Sequence, residues 1–447
     1  MEYGEAVDAL EGLRRLSPDL GTETTASLLA SVGSPHEDLT AVQIAGSNGK
    51  GSTASFLERI LRERGLDVGL YTSPDLNGFR ERVRVNGRKI PREQVAAFVD
   101  EAGPFVPDRP ARGNAPTFFE AVTAMALWHF GREGVDVAVL EVGIGGRYDA
   151  TSVVDPAAAA VTTVSLEHTD LLGETVEEIA RDKAQVAPAS RRLVTGATGR
   201  ALEAIREETG VVTVGLAKSG DGAGSVEVPG ATAEQPRTDV RVRETGMASL
   251  TESAVTLDGP GWTVETRSSL LGTHQAVNAG IAAVLARQVA DSTEAEIAAG
   301  IRHTRWPGRF EIVDEEPLVV LDGAHNPQAC GTLASLLARY GYGDLHMVFG
   351  AMREKDHAAM VDALPAADRT YLAEPAVERA EAAGPLAAVF EQQLGTGPDP
   401  DQFDSVPRAL ERAIDVAGAD DCVLVAGSLY TVSEARASLD RAGEQRS

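Results

Sequence analysis

The stretch VQIAGSNGKGST, residues 42–53, decides what kind of domain this chain builds. It starts within a short apolar run, 40–45, which predicts a buried strand, and it ends where residues 53–64 begin to repeat apolar side chains at helical spacing. The turn between them is rich in glycine. A strand, a glycine-rich turn and an amphipathic helix in this order predict a phosphate-binding loop, because inward-pointing N–H groups and the helix dipole both favour an anion.

Two kinds of side chain in the turn support this interpretation. Lys50 would reach the β and γ phosphates of a nucleotide, and the hydroxyl of Ser52 or Thr53 would bind a phosphate or support Mg²⁺. The spacing differs from the plain pattern G-x-x-x-x-G-K-[ST], because Gly51 follows the lysine. A strand–helix turn without a ligand is the alternative. The surrounding pattern favours nucleotide binding, without indicating what the nucleotide is used for.

The length and composition are those of a multidomain globular protein. A chain of 447 residues suits two or three domains, and a hydrophobic content of 43% is ordinary. No apolar run is long enough to cross a bilayer, and the acidic, amphipathic start differs from a secretory signal. Two cysteines, Cys330 and Cys422, are too few for a disulfide framework or a cysteine-rich metal site. These features predict a cytoplasmic protein without a membrane partner.

The chain is strongly acidic, with a formal net charge of −26. This charge argues against a nucleic-acid partner, which requires a basic surface. The acidic residues are dispersed, and only five of the 41 basic residues are lysines, at positions 50, 89, 183, 218 and 355. A dispersed, lysine-poor acidic surface predicts the salt adaptation of a halophile. An ordinary acidic protein from an arginine-rich genome is the alternative.

Strand-like and helix-like segments alternate over most of the chain, which predicts parallel sheets covered by helices. We expect an α/β fold with an N-terminal P-loop ATPase-like domain with a parallel sheet, residues 1–300, and a C-terminal Rossmann-like α/β domain, residues 301–447. Trp, Pro and Gly between 305 and 308 suit a domain junction. Residues 239–270 predict a small antiparallel patch, and the Gly-, Ser- and Pro-rich residues 217–238 predict a surface loop.

Apolar runs predict the individual strands, and helical spacing of apolar residues predicts the individual helices. Buried strands are predicted at 40–45, 135–142, 157–164, 318–321, 346–349, 370–372 and 421–425, and helices at 53–64, 176–187 and 274–290.

Chemically active residue types follow several of these strands. Ser73 and His168 come after strands of the first domain, Glu141 lies at the end of one, and Asp322 and His325 follow the first strand of the second. A carboxylate such as Glu141 can reach a metal on the phosphates. Singly, each residue has a plain structural explanation, such as a helix cap or a surface histidine. Together they predict a ligand site, because in open α/β sheets the ligand lies outside the carboxyl ends of the strands.

Taken together, these segments resemble the folylpolyglutamate synthases and dihydrofolate synthases, a branch of the Mur ligase superfamily. The resemblance covers residues 40–435 and rests on GSNGKGS (46–52), TSPDL (72–76), RERV (80–83), TFFEA (117–121), EVGIGGRYDAT (141–151), EHTDLLGETVEEIARDKA (167–184), LLGTHQAVNA (270–279), WPGRFE (306–311), LDGAHNP (321–327) and GSLYTVSEAR (427–436). The family usually has His and Asn where this chain has Asp75 and Arg80. These departures concern the choice of substrate more than the use of ATP.

The resemblance implies a role for each matching residue. It implies an ATP site formed by Asn48, Gly49, Lys50, Gly51, Ser52, Thr53, Asn278, Arg309, Asp322 and His325. It implies ligands for one or two Mg²⁺ ions at Ser73, Glu141, His168 and Lys183, with Lys183 carbamylated so that its added carboxylate supports the second ion. It places Phe118, Phe119, Arg147, Tyr148 and Asp149 near the pterin substrate. Lys50, Lys183 and His168 are the implied catalytic residues.

The activity that the resemblance implies is that of an ATP-dependent carbon–nitrogen ligase, which adds L-glutamate to a pterin substrate. The acceptor would be dihydropteroate, folate or both, activated as an acyl phosphate. Closure of the two domains would protect this intermediate from water, with a hinge within 274–308. Because the family is usually monomeric, we expect a monomer whose partners are small molecules.

Two other interpretations stay open. Another Mur-type amino acid ligase would share the ATP site but act on a different acceptor, and the segments WPGRFE and LDGAHNP argue against it. A nucleotide-binding switch or a transport ATPase would need no second α/β domain with its own polar strand end. The sequence decides neither the acceptor nor the number of glutamates added.

Overall fold

The computed structural model describes residues 1–15, 21–76, 78–103, 115–187, 191–217, 238–394 and 399–446. The chain forms two compact units, one comprising Met1–Asp75 and Phe79–Arg305 and the other Leu76–Gly78 and Trp306–Ser447. The surface loop predicted at 217–238 lies almost wholly outside the described residues. The division predicted at residue 300, and the role predicted for each domain, stay predictions.

The first unit is built on a sheet that has eleven strands within the described residues. Along the chain these are β1 (Ala41–Ala45), β2 (Val68–Tyr71), β3 (Val83–Val85), β4 (Arg88–Lys89), β5 (Val137–Glu141), β6 (Ala158–Val161), β7 (Leu193–Thr195), β8 (Val211–Leu216), β9 (Val240–Met247), β10 (Ser253–Gly259) and β11 (Trp262–Ser268). Their order across the sheet is β11-β10-β9-β8-β7-β6-β1-β5-β2-β3-β4.

The central part of this sheet is parallel, from β9 through β8, β7, β6, β1 and β5 to β2. The strands β1, β5 and β6 are buried along their whole length. This agrees with their almost continuous apolar sequence, since a parallel strand with helices on both faces has no solvent side. At one end β9, β10 and β11 pair antiparallel, which confirms the patch predicted at 239–270.

The helices of the first unit surround this sheet. In chain order they are α1 (Tyr3–Gly12), α2 (Glu23–Ser31), α3 (Lys50–Glu63), α4 (Arg92–Glu101), α5 (Phe118–Glu133), α6 (Thr169–Leu172), α7 (Val176–Ala184), α8 (Gly199–Glu208), α9 (Thr273–Ala290) and α10 (Glu294–His303). The helix that follows the phosphate loop, α3, packs against β1, β5, α9 and α10.

Helix α3 begins at Lys50, three residues before the start that apolar spacing predicted. The reason lies in Gly49, the residue before the helix, whose φ of 90° is left-handed. Glycine adopts this conformation without steric cost. The backbone N–H of Thr53 donates to the Gly49 carbonyl at 2.9 Å, which closes the first turn. Lys50, Gly51 and Ser52 therefore lie in the first turn of the helix, whose N–H groups have no partner inside the helix.

A glycine-to-alanine pair tests the packing of α10 on α3. A Cβ at Gly300 would lie 2.5 Å from the Cα of Ile60 and 2.8 Å from its backbone nitrogen, atoms that cannot move aside without shifting the helix. We expect Gly300→Ala to lower the free energy of unfolding by about 1–3 kcal/mol. Gly4→Ala is the control, because α1 offers nothing within 4 Å of the added carbon. Chemical unfolding of both variants at one salt concentration measures the difference, and equal midpoints would contradict the packing.

The second unit is a smaller α/β layer structure. Its strands are β12 (Glu311–Glu315), β13 (Leu318–Leu321), β14 (Leu345–Phe349), β15 (Arg369–Ala373), β16 (Asp401–Phe403) and β17 (Cys422–Ala426), and its helices are α11 (Pro327–Leu337), α12 (His357–Ala363), α13 (Ala383–Leu394), α14 (Val406–Val416) and α15 (Leu429–Arg446). The sheet order is β12-β13-β17-β14-β15-β16, parallel except for β12. Together the two units confirm the predicted α/β class with a second Rossmann-like layer.

A short excursion of the chain belongs to this second unit although it comes from the first third of the sequence. Leu76 packs against the buried cluster that includes Val432, and the hydroxyl of Ser433 donates to the Leu76 carbonyl. Sequence periodicity gives no sign of such a crossing, because three residues are too few to form a repeat.

No helix among the described residues is both long enough and apolar enough to span a bilayer.

Candidate active site

The phosphate loop, residues 46–52, runs from the end of β1 into the first turn of α3 and is held by the segment that follows β6. The Ser47 N–H donates to the Thr163 carbonyl at 2.7 Å, and the Thr162 hydroxyl donates to the Asn48 carbonyl at 2.7 Å. Gly46, with a φ of 140°, leaves no room for a side chain, since a Cβ there would lie 2.0 Å from Thr162 Oγ1. The backbone of the loop is therefore fixed before any ligand binds.

Lys50 lies back over this loop. Its Nζ donates to the Gly46 carbonyl at 2.8 Å and to the Ser47 carbonyl at 3.5 Å. This is where a nucleotide phosphate would need a positive charge. The next hydroxyls, on Ser52 and Thr53, are buried, and Thr53 Oγ1 has no hydrogen-bond partner within the described part of the chain.

Asn278 on α9 contacts the loop from another side. Its amide donates to Gln275 Oε1 at 3.0 Å, and its Oδ1 would lie 2.6 Å from a Cβ at position 49. The structure therefore brings together Gly49 and Asn278, two residues that the resemblance assigned to ATP. Their contact also explains why glycine is required at position 49 beyond its left-handed backbone.

Glu141 is the last residue of β5 and is 5% exposed. It lies opposite Ile44 in the register of β1 and β5, so its carboxylate comes near the end of the strand that leads into the phosphate loop. Its Oε2 accepts a hydrogen bond from the Ser73 N–H at 2.9 Å. Two of the predicted metal ligands, Ser73 and Glu141, are thus neighbours.

Lys183 on α7 is 2% exposed, and its Nζ lies 2.8 Å from Glu167 Oε1. Burial lowers the pKa of Lys183, although Glu167 opposes the shift. Burial by itself would raise the pKa of Glu167, but the charges of Lys183 and Lys50 outweigh it, so that this pKa is lowered. The Ser47 side chain hydrogen bonds to Glu167 as well and adds to the lowering. One carboxylate therefore lies close to two of the five lysines of the chain.

Glu167 is a residue that the sequence reasoning did not assign. The sequence feature that could have indicated a role for Glu167 is its place in the segment EHTD, directly before His168. His168 itself is exposed, has a φ of 47° and directly precedes α6, so it lies at the start of that helix rather than directly after β6.

The residues present fit a Mg²⁺ site of a particular kind. Across the described ranges, no three His, Cys, Asp or Glu side chains converge on one point as in a closed metal site. Mg²⁺ is usually held by one or two carboxylates together with substrate phosphates and water. The buried Glu141 carboxylate, beside a loop that carries buried hydroxyls, matches this donor set. A buried lysine with a lowered pKa matches the requirement for carbamylation, because only the neutral amine takes up CO₂.

The variant Glu141→Gln tests whether this part of the chain holds Mg²⁺. Glutamine keeps the shape of the side chain and an oxygen for the Ser73 N–H, but it removes the negative charge. We expect the Mg²⁺ concentration for half-maximal ATP turnover to rise and the maximal rate to fall by about 10²-fold. Glu133→Gln, at the exposed end of α5, is the control. An unchanged Mg²⁺ titration in Glu141→Gln would contradict the assignment.

The aromatic residues predicted near the substrate lie at the start of α5. The Phe119 ring is 5.9 Å from the Tyr71 ring, and a Cβ at Gly143 would lie 2.5 Å from its Cζ. The ring of Phe118 is covered by the guanidinium groups of Arg14 and Arg82, at 3.8 and 5.2 Å from its centroid.

The two positions that depart from the family's usual sequence have defined contacts. Asp75 forms an ion pair with Arg82 at 2.5 Å, and both side chains are largely buried. Arg80 donates to the Ile90 carbonyl at 2.8 Å. Asp75 is therefore tied to the guanidinium that covers Phe118.

The turn that follows β5 contains the other predicted substrate residues. Arg147 and Tyr148 are exposed, with the guanidinium 5.1 Å from the tyrosine ring. Asp149 is buried, and its two oxygens accept four hydrogen bonds, from the N–H groups of Gly143, Ile144 and Thr151 and from the Thr151 hydroxyl. Burial raises the pKa of Asp149, while these bonds oppose the shift.

In the second unit the predicted residues gather at the end of β13. Asp322 accepts hydrogen bonds from the N–H groups of Phe310 and Ala324, at 2.7 and 2.8 Å. Burial raises the pKa of Asp322, and the charge of Arg309 opposes the shift. His325 Nδ1 lies 2.8 Å from the Gly323 carbonyl. The structure thus brings Arg309, Asp322 and His325 together, and their contact with a nucleotide stays a prediction.

Comparison with known proteins agrees with this arrangement. The family model for the Mur ligase middle domain matches residues 44–286, and the model for the Mur ligase glutamate ligase domain matches residues 308–429. The dihydrofolate synthase/folylpolyglutamate synthase of Bacillus subtilis is 31% identical over 457 residues, which is 98% of this chain and 99% of that protein. The probable bifunctional folylpolyglutamate synthase/dihydropteroate synthase of Halobacterium salinarum is 55% identical over 442 residues.

The match to the Halobacterium protein covers 98% of this chain but 51% of that protein, and the corresponding protein of Haloferax volcanii is also matched over 51% of its length. The chain thus spans about half the length of these two relatives. Their organisms support the prediction that the acidic composition is that of a halophile.

Solved structures show the same fold. FolC of E. coli, in complex with DHPP and ADP, is 29% identical with a TM-score of 0.81, covering 100% of this chain and 99% of that chain. The folylpolyglutamate synthase of Mycobacterium tuberculosis, complexed with ADP, is 26% identical with a TM-score of 0.84, covering 97% and 98%. These matches extend over almost the whole length of several relatives and confirm the resemblance inferred from the motifs. The chain belongs to the folylpolyglutamate synthase and dihydrofolate synthase family of Mur ligases.

Proposed function

We propose that this chain is an ATP-dependent amide ligase that joins L-glutamate to the carboxylate of a pterin substrate through an acyl phosphate. The acceptor is dihydropteroate, folate or both. One observation carries the proposal: Lys50 of the phosphate loop and the buried Lys183 both lie close to one carboxylate, that of Glu167. Family membership and the ADP in the related structures add support.

The chemistry explains why positive charge is concentrated there. A carboxylate is a poor electrophile, so the γ-phosphoryl group of ATP moves to an acceptor oxygen, which breaks the bond to ADP and forms the acyl phosphate. The amine of glutamate then attacks the acyl carbon, loses a proton and displaces phosphate, leaving an amide. Phosphoryl transfer depends mainly on positioning and electrostatics. Lys50 offsets the repulsion between the phosphates and the acceptor carboxylate, and the fixed loop backbone adds its N–H groups.

Glu141 would hold Mg²⁺, with Ser73 and His168 as the other ligands that the resemblance implies, and the ion would neutralise phosphate charge. A carbamylated Lys183 would add a second carboxylate, which requires that the amine leave its pairing with Glu167. A monomeric state and a cytoplasmic location stay predictions.

A product assay tests the proposed function. The protein, kept in concentrated potassium chloride because of its acidic surface, is incubated with ATP, Mg²⁺, L-glutamate and either dihydropteroate or a folate. We expect ADP release only when amino acid and acceptor are both present, and an acceptor heavier by one glutamyl residue in the mass spectrum. ADP release without an acceptor would indicate a switch or an ATPase instead. Product formation with another amino acid would indicate a different Mur-type ligase.

A further inference from the structure

The strand that leads into the phosphate loop contains one residue, Gln43, whose presence nucleotide binding does not explain. Gln43 is the polar side chain within β1, at the centre of the sheet, and it is 1% exposed. Its neighbours in register are Leu140 on β5 and Ala159 on β6. A buried amide is unfavourable unless it is hydrogen-bonded, so the contacts of this side chain need to be identified.

Both N–H groups of the Gln43 amide are used. Nε2 donates to Thr151 Oγ1 at 3.2 Å and to Ser152 Oγ at 3.1 Å. Because the amide nitrogen can only donate, each hydroxyl accepts from it and keeps its own hydrogen for another acceptor. The Thr151 hydroxyl donates to Asp149 Oδ1 at 2.6 Å, and the Ser152 hydroxyl donates to the Gly146 carbonyl at 2.7 Å.

These bonds converge on the turn of residues 143–149. Asp149 Oδ2 accepts from the N–H groups of Gly143 and Ile144, each at 3.0 Å, so the turn is closed on the carboxylate that Thr151 orients. The Ser152 bond to Gly146 holds the middle of the same turn. A single glutamine thus fixes the direction of two hydroxyls that both hold this turn.

The turn lies between two parts of the site. Gly143 faces Phe119, whose Cζ would lie 2.5 Å from an added Cβ. Gly146 faces α7, where an added Cβ would lie 2.6 Å from the Asp182 carbonyl and 3.1 Å from the Lys183 Cα. A shift of the turn would therefore move either the Phe119 ring or α7, the helix that carries Lys183.

We propose that Gln43 is a positioning residue for the acceptor side of the site: through Thr151 and Ser152 it holds the 143–149 turn, and the turn sets the place of Phe119 relative to α7. This inference rests on the proposed function. The expected effect is on the acceptor and not on the affinity for ATP, since the phosphate loop is held separately by Thr162 and Thr163.

Thr151 gives the sharpest test, because Val and Ser separate its shape from its hydroxyl. We expect Thr151→Val to raise the KM for the pterin acceptor and to lower kcat/KM for it by about tenfold, the effect of one lost buried hydrogen bond. The Kd for ATP should change by less than about twofold, which is smaller than the effect of one hydrogen bond. Thr151→Ser should restore the acceptor KM. Gln43→Leu should act like Thr151→Val, and its unfolding midpoint shows whether it folds.

Thr213→Val is the matched control. Thr213 is also buried in this sheet, on β8, and its hydroxyl donates to Asp239 at 2.8 Å, but β7 and β6 separate it from β1. We expect it to lower stability without changing the acceptor KM. The inference is overturned if Thr151→Val destabilises the protein but leaves the acceptor KM at the wild-type value, or if the Kd for ATP rises as much as the acceptor KM. Wild-type protein that forms no glutamyl product would instead overturn the proposed function.

Discussion

Replacing Lys50 with alanine is expected to lower the rate of glutamyl product formation by about 10²–10³. The ammonium lies over the phosphate loop on the Gly46 and Ser47 carbonyls, where a nucleotide phosphate would take their place. The loss should appear mainly in kcat, because charge moves onto the transferred group only as the reaction proceeds. The measurement is ADP release and product mass, at saturating ATP, glutamate and acceptor.

The fold should survive this replacement. The loop backbone is held by hydrogen bonds from Thr162 and from the Ser47 N–H, and neither involves the Lys50 side chain. Lys89→Ala is the matched control, since Lys89 is an exposed lysine of the same unit that pairs with Glu81. A Lys50 variant with the turnover of the Lys89 variant would contradict a phosphate-binding role for the loop.

The buried parallel strands were predictable from the sequence because each is a continuous apolar run with no solvent face. β1, β5 and β13 lie within a residue or two of their predicted positions. The three-residue strand β3 and the two-residue strand β4 could not be predicted, because pairing rather than a local pattern forms them: β3 pairs with β2, and β4 pairs with β3.

The motifs predicted which residues gather in the site, but they did not predict how the residues contact one another. Glu167 and Gln43 show why. From sequence alone, a carboxylate before a histidine is interpreted as a charge exposed to solvent. A glutamine within an apolar run is interpreted as a single polar residue that interrupts the strand pattern. Only the structure shows that the first pairs with Lys183 and that the second holds two hydroxyls. Likewise, Asp149 matches a substrate residue in sequence, whereas its hydrogen bonds hold the turn.

Lys183 gives the second large expected effect. Lys183→Ala should lower product formation by about 10²-fold or more, since it removes a group beside the phosphate loop on which the placement of charge depends. The ion pair with Glu167 at 2.8 Å offers a second explanation, in which the ammonium, not a carbamate, is what the site requires. An alanine variant alone does not separate the two.

Lys183→Arg separates the carbamate explanation from the ammonium explanation. Arginine keeps the positive charge and can pair with Glu167, but it stays protonated and does not form a carbamate. If the carbamate is required, both variants lose activity, and ¹³C-labelled bicarbonate gives a carbamate resonance in the wild type that both variants lack. If the ammonium is what matters, the arginine variant stays active and no resonance appears. Unfolding midpoints show whether the larger guanidinium fits a position that is 2% exposed. The lowered pKa and the burial of Lys183 suit it to take up CO₂, so we expect that both variants lose activity.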